Sequence, residues 1–239
     1  MVGTFVKTPS PILAEVLALS DLDLFCIDVE HAPFGRYELD QCLAVFRALE
    51  RPCLARVADD SPTGIRNALD SGATGIVVPH VTSAEQAAAI VKAAHFGEGG
   101  RGYAGSTRSA GYTTKAGADY RAASARQTTV IVQIEDLAAL DHVSEIAAVD
   151  GVDGLFVGRT DLAVAMGRPV AHKEVVATVG DICRSARPAG TAIGMFTPLL
   201  DEIPDWLDLG ASLFLLSSDQ GFVLDGANHL ATTVKRDRT

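Results

Sequence analysis

The chain has 239 residues, of which 48% are hydrophobic and 21% are charged, and its formal net charge is −10. This length buries a sizeable core, and the composition is that of a globular protein rather than a disordered one. The negative charge, without any cluster of Lys and Arg, argues against binding to nucleic acid or to an anionic membrane surface. No apolar run approaches the ~18 residues of a membrane span.

Short β-rich segments alternate with longer helical segments along the chain. The predicted strands cover residues 2–7, 22–28, 52–57, 75–80, 129–135, 154–158, 191–196 and 213–217. The predicted helices cover residues 11–19, 37–49, 63–71, 84–95, 137–149, 161–166, 175–187, 199–209 and 224–235. The helix at 84–95 has the clearest start, because Ser83 is a suitable N-cap and Gln86 follows three residues later.

The strands themselves indicate a parallel sheet. IVVP, VIVQIE, GLFVG and LFLLS are continuously apolar, which is typical of strands that are buried on both faces. Eight β→α units in a chain of 200–250 residues predict a closed (β/α)8 TIM barrel, and we expect a single domain over residues 1–239. An open, doubly wound sheet is the alternative.

Residues 96–117 interrupt this alternation with seven glycines and few apolar side chains. A loop of this length in a compact domain is usually functional or mobile. Because the segment comes after the fourth strand, we expect it on the catalytic face of the barrel. There Arg101 and Arg108 would attract a second carboxylate or a phosphate, the alternative being surface charge or a subunit interface.

Polar residues end most of the predicted strands. On such a barrel the reactive residues lie at the carboxyl ends of the strands, so we expect these side chains to converge on one mouth. They are Asp28, Glu30, His31, Arg56, His80, Gln133, Glu135 and the run Gly158-Arg159-Thr160-Asp161.

Two of these carboxylates suit a divalent cation. Glu135 and Asp161 follow adjacent strands, and two carboxylates with several waters form the oxygen-rich shell that Mg²⁺ or Mn²⁺ prefers. The strand-to-helix turn over residues 158–162 would bind an anion through its backbone N–H groups. A small α-keto acid could therefore chelate the metal and occupy this turn at the same time.

Three further residues have the chemistry of proton transfer and charge stabilisation. Asp28 lies three residues before His31 and could orient its imidazole as a general base, unless His31 is only a capping or loop histidine. Arg56 could stabilise a developing oxyanion, unless it forms a rim salt bridge with Asp59 or Asp60.

Several words of the sequence occur together in one known family. They are IDVEHAPFG (27–35), LARV (54–57), GIVVPHV (75–81), GGRGYAGSTRSAGY (99–112), VQIED (132–136) and VDGLFVGRTDLAVAMG (152–167). In these words the chain resembles the metal-dependent class II pyruvate aldolases of the HpcH/HpaI family. The resemblance extends over nearly the whole chain.

The resemblance implies an aldolase that reversibly cleaves 4-hydroxy-2-oxo acids into pyruvate, or hydroxypyruvate, and an aldehyde. It implies a (β/α)8 barrel whose last helix is exchanged between the subunits of a hexamer, and a divalent cofactor such as Mg²⁺, Mn²⁺ or Co²⁺. The implied roles are His31 as base with Asp28 as its partner, Arg56 as the strand-three arginine, Glu135 and Asp161 as metal ligands, and Gln133, Gly158, Thr160 and Asp161 as substrate contacts.

Two positions are less typical of the family. Many members carry proline where this chain has Arg159, so the turn is less rigid here and the arginine could add a cation near the site, or point to solvent or a neighbouring subunit. Phe196 ends the seventh strand and, by position only, would shape the aldehyde pocket, the alternative being a role in the core. Of the five lysines only Lys7 lies near a strand end, which disfavours a Schiff-base aldolase.

Other functions are compatible with parts of this pattern. A citrate-lyase or malyl-CoA-lyase type of enzyme would need a CoA-binding surface, and no basic, adenine-stacking feature is visible. A non-catalytic ligand-binding barrel would not explain the joint presence of His31, Arg56, Glu135 and Asp161. A phosphate-binding isomerase would need a glycine-rich loop after the last two strands, of which residues 217–221 are a faint version.

The cysteines bear on the compartment. Cys26, Cys42, Cys53 and Cys183 form no CxxC pair, and three of them lie in apolar segments, so we expect buried free thiols. The first seven residues show no basic region followed by an apolar stretch. We therefore expect a cytoplasmic protein.

Overall fold

The computed structural model describes residues 1–236, and in this part of the chain eight parallel strands close into a barrel in chain order. The strands are β1 Val2–Val6, β2 Leu24–Asp28, β3 Cys53–Arg56, β4 Gly75–Val78, β5 Thr129–Ile134, β6 Gly154–Val157, β7 Ala192–Phe196 and β8 Ala211–Ser218. Each strand pairs with the next, and β8 pairs with β1. The predicted (β/α)8 barrel is confirmed, and an open sheet is excluded. One domain over residues 1–239 stays a prediction, because residues 237–239 lie outside the described part.

Ten α-helices accompany these strands within residues 1–236. They are α1 Pro11–Ala18, α2 Arg36–Ala48, α3 Pro62–Asp70, α4 Ala84–Ala94, α5 Ala118–Gln127, α6 Val143–Ala147, α7 Arg159–Ala165, α8 Lys173–Ala186, α9 Ile203–Asp208 and α10 Asp219–Arg236. The predicted N-cap of α4 is confirmed, because Oγ of Ser83 accepts the N–H of Gln86 at 3.2 Å. The sequence did not predict α5, which buries none of its residues and so has no apolar periodicity to detect.

Alternation along the strands separates two apolar layers. Phe25 and Ile27 of β2 pack against the surrounding helices, whereas Cys26 belongs to a separate cluster with Leu54 and Phe156 inside the barrel. Because successive side chains of a strand point to opposite faces, both faces of these strands are apolar and buried. The sequence reads as continuously apolar for this reason.

The glycine-rich segment does not lie on the catalytic face, so that prediction is wrong. Residues 96–117 follow α4 rather than β4, and a connection from a helix to the next strand returns to the amino ends of the strands. Nε of Arg101 donates to Asp70 at the end of α3 at 3.1 Å, and Nε of Arg108 donates to Asp40 of α2 at 2.9 Å. The two arginines therefore have carboxylate partners in the chain and do not serve the mouth.

The last helix, α10, hardly contacts the rest of the chain. Of its 18 residues only Asp219 is buried, and its apolar side chains are exposed. The exposed apolar residues of α10 are Phe222, Val223, Leu224, Leu230 and Val234. No helix within residues 1–236 is long and apolar enough to cross a membrane.

The four cysteines are buried and unpaired, as expected from their apolar surroundings.

Candidate active site

The inward face of the barrel becomes polar at the carboxyl ends of the strands. Counting two residues on from the apolar interior positions Cys26, Leu54 and Ile131 leads to Asp28, Arg56 and Gln133. These polar side chains form one layer above the apolar interior, and all three are buried. The sequence placed them together correctly, because the carboxyl ends of parallel strands meet at one mouth.

Asp28 is the centre of a buried ionic cluster. Arg56 donates two hydrogen bonds to its carboxylate, from Nε to Oδ1 at 3.1 Å and from a terminal nitrogen to Oδ2 at 2.9 Å. Nζ of Lys7 lies 3.1 Å from the same Oδ2. Burial alone would raise the pKa of Asp28, but the hydrogen bonds and charge of Arg56 outweigh it and hold the pKa below its ordinary value. Asp28 is therefore an ionised anchor.

His31 follows this anchor on an exposed loop. The backbone N–H of His31 donates to Oδ1 of Asp28 at 3.1 Å, so the carboxylate positions the loop. The imidazole does not contact Asp28; its Nε2 lies 3.7 Å from Oε2 of Glu30. The expected pairing of Asp28 with the ring is thus replaced by a backbone contact, and Glu30 is the carboxylate beside the ring.

Arg56 joins Asp28 to Glu30. Its Nε lies 3.2 Å from Oε2 of Glu30, although the N–H of that nitrogen is donated to Asp28. The guanidinium stands 4.7 Å from the centre of the Phe5 ring. The alternative of a rim salt bridge to Asp59 or Asp60 does not describe these contacts, since the guanidinium is buried over the barrel interior.

Glu135, directly after β5, is a second buried carboxylate at the mouth. Oε1 accepts the backbone N–H of His80 at 2.9 Å, and Oε2 accepts from the amide of Gln133. Burial raises the pKa of Glu135, and the negative charge of Asp161 raises it further. Asp161 and Thr160, in the turn after β6, are exposed.

Glycine is required where β6 meets this carboxylate. A Cβ added to Gly158 would lie 2.5 Å from the Cβ of Glu135 and 3.3 Å from the amide nitrogen of Gln133. The backbone of the turn after β6 therefore lies so close to the Glu135 side chain that no side chain fits at position 158 without a shift. This contact explains the glycine of the turn that the sequence identified.

A second set of candidate metal ligands lies beside Glu135. Ligand atoms of Glu30, His80 and Glu135 all lie within 4.8 Å of one another. Oε2 of Glu30 and Oε1 of Gln133 are buried without a hydrogen-bond partner within residues 1–236. Buried oxygens that accept no hydrogen bond, among carboxylates and an imidazole, fit a divalent cation.

Sequence reasoning did not name Glu30 or His80 as ligands. The sequence does place both residues at the mouth, because Glu30 lies two residues after Asp28 and His80 follows β4, but it gives no local sign that the two share a cation site. His80 has a φ of +57°, an uncommon conformation that turns the chain immediately after β4. The hydrogen bond between Nδ1 of His80 and Asp136 contributes to raising the pKa of His80, against the opposing effect of desolvation.

Arg159 does not add a cation to the mouth and does not point to solvent. It is buried, it donates to Glu202 and to the carbonyl oxygen of Val170, and its guanidinium lies 5.6 Å from the Trp206 ring. The contact with Arg159 lowers the pKa of Glu202. The expectations of a cation near the site and of a solvent-facing side chain are corrected, whereas a contact with a neighbouring subunit stays a prediction: within the chain, the arginine links the start of α7 to the segment after β7.

Phe196 lies at the apolar side of the mouth. Its ring is half-buried and lies 6.0 Å from the ring of Phe5, the residue over which Arg56 stands. The position agrees with a side chain that lines the space above the barrel interior.

The sequence is similar to those of known proteins over nearly its full length. Residues 1–225 match the HpcH/HpaI aldolase/citrate lyase family. A 5-keto-4-deoxy-D-glucarate aldolase from Salmonella arizonae is 35% identical over 238 residues, covering 98% of this chain and 92% of the relative.

Solved structures agree with this relationship. An HpcH/HpaI aldolase/citrate lyase family protein from Burkholderia cenocepacia superposes with a TM-score of 0.92 at 30% identity, over 98% of this chain and 94% of the other. The citrate synthase SbnG superposes with a TM-score of 0.87 at 26% identity, over 100% of this chain and 94% of the other. The chain belongs to the HpcH/HpaI aldolase/citrate lyase family and is a carbon–carbon lyase built on a (β/α)8 barrel.

Proposed function

We propose that the chain is a metal-dependent aldolase that reversibly cleaves a 4-hydroxy-2-oxo acid into pyruvate, or hydroxypyruvate, and an aldehyde. The observation that carries the proposal is the mouth itself, where a carboxylate group suited to a cation faces a buried arginine and an exposed histidine. The relative from Salmonella arizonae is named for a substrate of this chemical class, a keto acid with a hydroxyl group and a second carboxylate.

The cofactor in this proposal is a divalent ion, Mg²⁺, Mn²⁺ or Co²⁺, held by Glu135 and Asp161, with Glu30 and His80 within reach. Such an ion acts as a Lewis acid on a bound keto acid. The backbone of Gly158, Thr160 and Asp161 would receive the carboxylate of the keto acid, with Gln133 beside it. The closeness of Gly158 to Glu135 supports this placement, because the turn and the metal-binding carboxylate then share one small space.

The chain's own residues would move the proton and hold the charge. In the cleavage direction His31 accepts the proton of the 4-hydroxyl as the C3–C4 bond breaks and the aldehyde leaves; a proton is then returned to C3 of the enolate. Arg56 stabilises the negative oxygen of the enolate. Because two hydrogen bonds to Asp28 already fix its guanidinium, the side chain does not have to reorganise during the reaction. Phe196 would border the space for the aldehyde.

Exchange of the C3 protons of pyruvate in D₂O tests the proposal without any choice of aldehyde. NMR should show exchange with Mg²⁺ or Mn²⁺ and its loss with a chelator. The same measurement with hydroxypyruvate shows which donor is preferred. If a folded protein exchanged the C3 protons of neither keto acid with any of the three metal ions, the proposal would be contradicted.

A second candidate is a lyase or synthase of the citrate type. It is favoured by the likeness to the citrate synthase SbnG over the whole chain. Formation or cleavage of citrate and of malyl-CoA, measured beside the aldol reaction, separates the two. The net charge of −10 gives no general attraction for the phosphates of CoA, which favours the aldolase.

We also propose that the chain forms a homo-oligomer, a hexamer in which α10 is exchanged between subunits. Its ligands in this proposal are small keto acids and aldehydes. Its proposed compartment is the cytoplasm. The exposed apolar side chains of α10 support exchange, since a long helix with an unburied apolar face is stable only against a partner. Size-exclusion chromatography with light scattering should give a mass about six times 25.0 kDa. A monomer would contradict this assignment.

A further inference from the structure

His80 lies at the mouth directly after β4, and its backbone is fixed on both sides. Its N–H donates to Oε1 of Glu135 at 2.9 Å, and its carbonyl oxygen accepts from Nε2 of Gln86 at 3.2 Å. The residue has a φ of +57°, which is uncommon for residues other than glycine. The two hydrogen bonds hold this conformation and, with it, the place of the imidazole.

Three carboxylates surround the imidazole of His80. Nδ1 lies 3.0 Å from Oδ2 of Asp136 and 3.4 Å from Oε1 of Glu135, and Nε2 lies 3.6 Å from Oε1 of Glu30. Of these contacts, the one with Asp136 is a hydrogen bond. When Nδ1 of the neutral ring donates its proton to Asp136, Nε2 keeps a free lone pair. A carboxylate that fixes the tautomer in this way is the usual partner of a metal-binding histidine.

The distance between Nε2 of His80 and Oε1 of Glu30 fits two ligands of one ion. At 3.6 Å it is longer than a hydrogen bond. Two ligand atoms that each lie about 2.1 Å from an ion, at an angle of roughly 90–120°, are separated by about 3.0–3.6 Å. Since the ligand atoms of Glu30, His80 and Glu135 all lie within 4.8 Å of one another, the three side chains are placed to share one cation.

Burial also distinguishes the three side chains. The side chain of Glu30 is 9% exposed, and its Oε2 accepts no hydrogen bond within residues 1–236. The side chain of Glu135 is 2% exposed, whereas that of His80 is 59% exposed. An ion and its waters therefore reach the buried carboxylates from the side that carries the imidazole.

We infer that His80 is a nitrogen ligand of the divalent ion, and that Asp136 is the residue that positions its ring. An imidazole ligand changes the class of metal, because Mg²⁺ prefers oxygen ligands whereas imidazole suits transition-metal ions such as Co²⁺. The site therefore prefers Co²⁺ over Mg²⁺ more strongly than carboxylates alone would. The inference rests on the proposed aldolase function and adds the metal class to it.

Electron spin-echo envelope modulation of bound Mn²⁺ detects a coordinated histidine nitrogen without any turnover. The wild-type protein with less than one equivalent of Mn²⁺ and no keto acid should show this modulation, and ¹⁵N-labelled histidine should change its frequencies. His80→Asn should abolish it, since asparagine tolerates a positive φ but carries no imidazole. His31→Ala is the matched control and should keep it, because His31 is the other histidine beside Glu30.

Calorimetric titration gives a second measurement that needs no catalysis. His80→Asn should raise the Kd of Co²⁺ about tenfold or more and that of Mg²⁺ by no more than about threefold. Asp136→Asn should keep the nitrogen modulation but raise the Kd of Co²⁺ by about tenfold, since the ring is held less firmly. His142→Asn, which changes an exposed histidine outside the mouth, should alter neither quantity.

The outcomes separate this inference from the proposed function. If the nitrogen modulation is present but pyruvate exchange fails, the proposed function fails and the ligand assignment stands. Failure of Mn²⁺ to bind, bound Mn²⁺ without nitrogen modulation, or modulation that survives in His80→Asn would overturn the inference. His80 would then be only an ion-pair partner of Glu30 and Asp136.

Discussion

The charged side chains are paired differently at the two ends of the barrel. At the glycine-rich segment 96–117, each arginine has its own carboxylate: Arg101 pairs with Asp70, and Arg108 pairs with Asp40. At the mouth, Arg56 is shared between Asp28 and Glu30, and buried oxygens lack hydrogen-bond partners within residues 1–236. Pairs of the first kind are complete in the folded chain, whereas the second arrangement leaves oxygen acceptors unused within residues 1–236, as the proposed binding of a cation requires.

The difference predicts opposite consequences of mutation. Removing the His31 side chain from the mouth should impair the chemistry with little loss of stability, because this imidazole is exposed to solvent. Removing a charge from the opposite end should cost stability and leave the chemistry intact. Such a trade between function and stability is common at functional sites.

The largest effect is expected for His31→Ala. Loss of a general base lowers kcat by about 10²–10⁴-fold. The melting temperature should change little, since the imidazole is exposed. Pyruvate exchange in D₂O and a thermal melt measure both. The exposed His142→Ala is the control, and exchange at the wild-type rate in His31→Ala would remove His31 from the base role.

Glu135→Gln should come next. The variant keeps the shape of the side chain but loses the charge that binds the cation, so the metal concentration for half-maximal exchange should rise about 100-fold or more. Titration with Mn²⁺, followed by the electron paramagnetic resonance signal of free Mn²⁺, measures the affinity directly. The exposed Glu145→Gln should behave as wild type. Equal Mn²⁺ affinity in Glu135→Gln would contradict the ligand assignment.

Arg101→Met tests the opposite end of the barrel. The variant leaves Asp70 without its buried partner, and we expect a loss of about 2–3 kcal/mol in the free energy of unfolding. Pyruvate exchange should persist, because the pair lies far from the mouth. Urea unfolding gives the first quantity and NMR the second. The exposed Arg126→Met is the control; a variant that kept full stability but lost exchange would reverse the assignment of the two ends.

The smallest effect is expected for Arg159→Met. Loss of the contacts with Glu202 and the Trp206 ring should cost about 1–2 kcal/mol, compared with almost nothing for Arg168→Met, whose pair with Glu174 is exposed. Trp206 is the single tryptophan, so its fluorescence reports on the site.

The pH dependence of this effect has a definite sign. Arg159 lowers the pKa of Glu202, so the stabilising contribution is present at neutral pH and is lost as the pH falls through the lowered pKa. The difference in unfolding free energy between wild type and Arg159→Met should therefore shrink on acidification. A difference that grows towards low pH would contradict the pairing.

Much of the fold could be read from the sequence. Continuously apolar strands, separated by amphipathic helices, require a sheet that is covered on both faces, and eight such units close into a barrel. The meeting of Asp28, Arg56 and Gln133 followed from the same logic, because strand alternation and parallel direction leave few other places for them. Helix α5 could not be predicted, since it buries no side chain and carries no periodic signal.

Only the tertiary structure decided which polar groups contact each other. Local spacing suggested that Asp28 orients the ring of His31, but the carboxylate binds the backbone N–H, Arg56 and Lys7 instead. The glycine-rich segment was assigned to the wrong end, because the sequence order of β4, α4 and the loop does not show which strand end the loop approaches. Periodicity determines which face of an element is buried, whereas the partners of a buried charge depend on residues from other strands that lie far away in the chain.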